Sequence, residues 1–102
     1  VRKLQKRFFE MVANRDIVGV KDLIKQGLTP NIATTKEKIT PLMVAVRNND
    51  VVMTKLLIEN RANVDNAQDY QGRDAYDYAD KYGSRAALMI LLTCEEELDN
   101  AG

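Results

Sequence analysis

The sequence has no histidine, no tryptophan and a single cysteine in 102 residues. Without histidine there is no imidazole base, no His-ligated zinc and no pH switch of the usual kind. Cys94 has no second cysteine to join in an intrachain disulfide or a paired-thiolate metal site, so a reducing intracellular compartment, cytoplasmic or nuclear, is expected. Long apolar runs are also missing. The longest, Ala86–Leu92, has seven residues, against the roughly 20 that span a bilayer. Neither a signal peptide nor an arginine-rich transit segment is visible, so no membrane insertion is expected. Net charge is absent as well, with fifteen Lys and Arg against fifteen Asp and Glu. The chain starts at Val1 rather than Met and is read as a piece of something longer.

What is present is helical spacing of apolar residues. Phe8, Phe9, Met11 and Val12 form one stripe, and Ile17, Val18, Val20, Leu23 and Ile24 form the next, with Gly27 where a helix would stop. Leu42 to Val46 and Val51 to Ile58 repeat this pairing, and Tyr76 to Ala79 with Ala87 to Leu92 repeat it again. Shifted by 34 residues, Phe8 falls on Leu42 and Tyr76, Leu23 on Leu57 and Leu91, and Ile24 on Ile58 and Leu92. The links Asn14-Arg15-Asp16, Asn48-Asn49-Asp50 and Tyr82-Gly83-Ser84 recur at the same interval, which predicts N-caps at Asp16, Asp50 and Ser84. The helices are expected to alternate short and long at two to three turns each. The stretches between units are polar and lack sustained alternation, so little strand is expected.

At Thr40-Pro41-Leu42-Met43-Val44-Ala45 the sequence resembles the Thr-Pro-Leu-His-x-Ala signature of ankyrin repeats, with Met43 in place of His. The resemblance continues through Asn49-Asp50 and Lys55-Leu56-Leu57-Ile58 to Arg61-Ala62-Asn63-Val64-Asp65, which is similar to the segment that ends a unit. Asp69-Tyr70-Gln71-Gly72-Arg73-Asp74 is similar to the family's Asp-x-x-Gly-x-Thr finger, and Asp74 can replace Thr as an N-cap. The resemblance implies an all-α, ankyrin-type helical solenoid of three helix-loop-helix repeats with finger loops. The units are read as residues 5–37, 38–71 and 72–98, followed by a 99–102 tail. The outer two depart from the pattern, as capping units would. Finger one, with Thr35 and Lys38 where Asp and Gly would stand, is expected to have an altered turn, because Lys tolerates positive φ poorly.

In this family the concave face of fingers and first helices binds other proteins, and the resemblance implies the same here. Carried across residue by residue, the variable finger positions are Lys36, Glu37 and Ile39, then Tyr70, Gln71 and Arg73. The variable end of the first helix falls on Arg47 and Asn48, then Lys81 and Tyr82. Tyr and Arg are also the types enriched at binding hot spots.

Other clusters read as structural. Asp74, Asp77 and Asp80, with Asp69 nearby, lack the alternate ligand spacing and glycine turn of a calcium loop and are read as caps and surface acids. Lys3, Lys6 and Arg7 lack the continuous basic face and spare aromatics of a nucleic-acid site. Cys94, after an apolar run, is a packing residue, and Ser84 has no base to activate it. Glu95-Glu96-Glu97 with Leu98-Asp99 is an acidic helix end or frayed terminus. No nucleophile with a base, phosphate loop or cofactor motif is visible, so no enzyme, cofactor or metal is expected.

The expected function is therefore a protein-binding module within a larger scaffold or regulatory protein. The rival is a small inhibitory or regulatory subunit that occludes an enzyme. Self-association through the end units is a third possibility, because Ala86–Leu92 could leave apolar area exposed. The zero net charge conceals an asymmetry. Residues 1–38 carry nine bases and four acids, a net of +5, and residues 39–102 carry six and eleven, a net of −5.

Overall fold

The computed structural model describes the backbone of residues 2–101 and the side chains of residues 3–94. It contains six helices and, among the described residues, no strand: α1 (Arg2–Ala13), α2 (Ile17–Lys25), α3 (Pro41–Arg47), α4 (Val51–Glu59), α5 (Ala75–Tyr82) and α6 (Arg85–Ala101). They pair as α1 with α2, α3 with α4 and α5 with α6. The first helices stack in the order α1, α3, α5, and α4 packs on α6. This is the all-α solenoid that the spacing predicts.

The turns carry the repeat most plainly. Arg15, Asn49 and Gly83, spaced 34 apart, all have positive φ (62°, 52° and 64°), and so do Gly27 and Arg61, and Lys38 and Gly72. After each first helix the N–H beyond the left-handed residue reaches back five residues: Asp16 to Met11, Asp50 to Ala45 and Ser84 to Ala79, at 2.8–2.9 Å. Leu28 to Leu23 and Ala62 to Leu57 do the same after the second helices of the first two units. These Schellman turns satisfy carbonyls that a helix end leaves open.

The starts are capped by side chains. Asp16, Thr40, Asp50 and Asp74 accept from the N–H groups of Gly19, Met43, Met53 and Asp77. Ser84 departs from the expected pattern. Its hydroxyl is buried and donates to the Arg47 carbonyl at 3.5 Å, while the N–H of Ala87 donates to Oδ1 of Asn49 at 3.0 Å. The cap of α6 is thus supplied by the preceding unit, which its left-handed Asn49 presents across the interface.

Finger one does have an altered turn, but not because Lys38 avoids positive φ. Lys38 holds positive φ just as Gly72 does. What differs is length: Thr34 N–H donates to the Ile39 carbonyl, whereas Asp69 N–H donates to that of Arg73, so the first loop has one residue more. Thr34, not Thr35, takes the role of Asp69, its Oγ1 accepting from Ile39 N–H at 2.9 Å.

The helix lengths do not alternate throughout. α1 has 12 residues and α2 has 9, and α6 runs for 17, carrying the Glu95 to Asp99 stretch whose side chains lie outside the described residues. The core is continuous: Phe8, Val12, Val20 and Leu23 meet Leu42, Met43, Val46 and Leu57, which meet Ala75, Tyr78, Ala87 and Leu91. Cys94 is buried at its edge. Met89 and Leu92 on α6 remain exposed.

Candidate functional site

The second finger is built around one buried carboxylate. Asp69 is 5% exposed. Its Oδ1 accepts from the N–H groups of Gln71 and Arg73, both at 2.9 Å, and its Oδ2 from the Tyr78 hydroxyl at 2.6 Å and Arg73 Nε at 3.3 Å. Burial pushes the carboxyl pKa up, but these hydrogen bonds, led by that of Tyr78, outweigh it and hold the group below its ordinary 3.8. Tyr78 responds in the opposite sense. Burial first, then its hydrogen bond to Asp69 and the charge there, push the phenol well above its ordinary value.

Tyr78 joins the finger to the first helix. The Arg73 guanidinium lies 5.9 Å from its ring centroid. The ring stacks on Tyr82 with centroids 6.0 Å apart and planes 25° from parallel, and the Lys81 ammonium sits 5.4 Å from the Tyr82 centroid. Of the residues expected from sequence, Arg73 and Tyr82 are thus linked through one side chain that the sequence reading left in the core pattern, and Lys81 joins them through Tyr82. The missed signal was chemical: a phenol at the place of apolar Val44, one unit earlier, needs a polar partner when buried.

The two fingers are joined through backbone. Tyr70 N–H donates to the Glu37 carbonyl at 2.9 Å, fixing the first tip beside the second. Lys36, Glu37, Tyr70 and Gln71 are exposed, with Tyr70 at 59%. Ile39 is half-buried and packs on the core. Exposed Arg47 and half-buried Asn48 stand at the C-terminal end of α3, apart from the fingers. Their carbonyls accept from neighbouring units, that of Asn48 from Arg15 Nη2 at 3.1 Å and that of Arg47 from Ser84. Asn31 ties units together elsewhere, donating to the Arg61 carbonyl and accepting from Asn63 N–H.

Nothing in this arrangement activates a nucleophile. Asp74 and Asp77 cap α5 reciprocally, each carboxylate accepting from the other residue's N–H at 3.0 Å. Among the described residues no three potential metal ligands come together. No helix there is long and apolar enough to cross a membrane. The surface offers exposed aromatic and cationic groups on a backbone that is fixed at both ends, which suits recognition.

A family model described as ankyrin repeats (three copies) matches residues 8–101. Among solved structures, the human ASB11 ankyrin repeat domain is similar at 29% identity and a TM-score of 0.76, covering 85% of this chain and 38% of that one. The ankyrin repeat domain of Bcl-3, a member of the IkappaB protein family, is similar at 30% identity and a TM-score of 0.79, with 85% and 38% covered. The chain therefore spans well under half of either domain. Among curated proteins none matches.

Proposed function

Because the chain belongs to the ankyrin-repeat family, whose domains are generally protein–protein interaction modules, we propose that it binds a partner protein on the preformed surface of its fingers and first-helix ends. The contact residues of this reading are Lys36, Glu37, Ile39, Arg47, Asn48, Tyr70, Gln71, Arg73, Lys81 and Tyr82. The observation that carries it is the exposure of Tyr70 and Tyr82, at 59% and 47%, on backbone fixed by the finger pairing and by α5. Such rings give contact area at low ordering cost.

The role is one of binding rather than catalysis, in the cytoplasm or nucleus, within a larger scaffold or regulatory protein whose units here are residues 5–37, 38–71 and 72–98. A stand-alone inhibitor of an enzyme is the alternative. Affinity purification with the chain, followed by titration of the recovered partner, tests the surface. The Tyr70→Ala/Tyr82→Ala variant, with an unchanged melting curve, should bind at least about tenfold more weakly, or ~1.4 kcal/mol. Unchanged affinity would remove the reading. If the recovered partner is an enzyme and the chain abolishes its turnover, the inhibitor reading replaces the scaffold one.

A further inference from the structure

We propose that the partner segment seated on this surface is acidic and extended, with carboxylates three residues apart that meet Arg47 and Lys81. The inference rests on the reading of fingers and first-helix ends as the binding face, and it adds the chemistry of what binds there.

Except for exposed Asp80, the carboxylates around α5 are already committed. Asp69 is enclosed by Tyr78, Arg73 and Gln71, and Asp74 and Asp77 cap the helix. The cations are not. Among the described residues the one ion pair is Arg73 with Asp69, so Lys36, Arg47 and Lys81 are exposed without a carboxylate partner. With Arg73 neutralised by Asp69, the ten positions of the proposed face hold three free cations and one acid, Glu37, a net of +2 in a chain whose formal charge is zero. That imbalance favours an anionic partner and speeds its approach.

Spacing sets the register. Arg47 and Lys81 occupy equivalent places in the last turns of α3 and α5, which pack side by side. Packed helix axes lie about 8–10 Å apart, and an extended chain in the polyproline-II form rises about 3.1 Å per residue with three residues per turn, so side chains three apart share one face and match the interval. The negative end of α3 does not repel such a segment strongly, since the Arg47 and Asn48 carbonyls already accept from Ser84 and Arg15. The exposed Tyr82 ring beside Lys81 offers an apolar contact for the residues between. A nucleic acid fits less well, because it needs a continuous basic track and here Glu37 interrupts it.

The test is selection of short random peptides displayed on phage against the whole chain, with binding sites mapped by amide chemical shifts. Enriched peptides should carry Asp or Glu at i and i+3, shift the amides of Arg47, Asn48, Lys81 and Tyr82, and weaken as salt rises. Against Arg47→Ala/Lys81→Ala, checked for an unchanged melting curve, their affinity should fall at least about tenfold. Peptides that map to these amides but are neutral or basic would overturn the acidic assignment and leave the binding face standing. Peptides that map elsewhere would overturn both. An oligo-dT strand that binds these residues more tightly than any selected peptide would overturn the choice of a protein partner.

Discussion

At the scale of single residues, Asp69 and Tyr78 form the unit whose removal is most informative. Tyr78→Phe keeps the packed ring but takes the 2.6 Å donor from a buried carboxylate. A buried acceptor left short of a partner costs about 1–3 kcal/mol, and denaturant unfolding of the variant should show a loss in that range. The pH dependence has a definite sign. A carboxyl whose pKa is lower folded than unfolded adds stability that is complete above its unfolded value, here 3.8, and is lost as pH falls through the folded one. Unfolding midpoints across the acid range should therefore fall with pH, and part of that fall should vanish in Asp69→Asn. An identical acid limb in the two proteins would show that Asp69 does not contribute. The Asp-x-x-Gly finger pattern placed Asp69 correctly, but its bond to Tyr78 spans a loop and a helix turn, a distance at which periodicity carries no information about side-chain pairing.

At the scale of elements, the left-handed turns repeat more faithfully than the helices they join. Arg61 sits at positive φ where unit one has Gly27. A non-glycine residue there carries a strain of roughly 1–2 kcal/mol, partly offset by the greater unfolded-state freedom of glycine. Arg61→Gly should raise stability by up to about 1 kcal/mol, and a lower melting temperature would contradict this. Asn49 does two things, turning the chain and capping α6 through Ala87 N–H. Asn49→Gly preserves the turn and removes the cap, so it should cost about 1 kcal/mol by unfolding. No cost at all would mean that water replaces the cap without loss. Helix pairs, turns and most caps were legible because they are local. Ser84 was misread because it looks like an N-cap by position, and only stacking brings Asn49 close enough to displace it.

At the scale of the whole molecule, the two ends differ. Arg7 and Glu10 and Asp22 are exposed where unit two buries Pro41, Val44 and Leu56, so the first unit closes the stack with charge. In the last unit Asp77 and Asp80 are exposed where Met43 and Val46 are buried, yet Leu92 is 42% exposed where Ile58 is covered. Stacking one copy on another would set that leucine face against Glu10 and Asp22, a burial of unpaired charge that opposes assembly. Sedimentation velocity without a partner should therefore give a monomer, and a concentration-dependent dimer would refute the mismatch. The charge asymmetry was readable by counting, whereas the unequal closure of the two ends required the stack.

One joint is looser than the other. While α4 and α6 pack closely, α2 and α4 do not, and between them lies a groove lined by Ile17, Lys21, Val51, Val52 and Lys55. The first unit is consequently held through its inner helix and, beyond α2, by the two hydrogen bonds of Asn31 rather than by helix packing. Pulled from both ends, the molecule should yield at that joint before anywhere else, so the stack has a soft end and a stiff end.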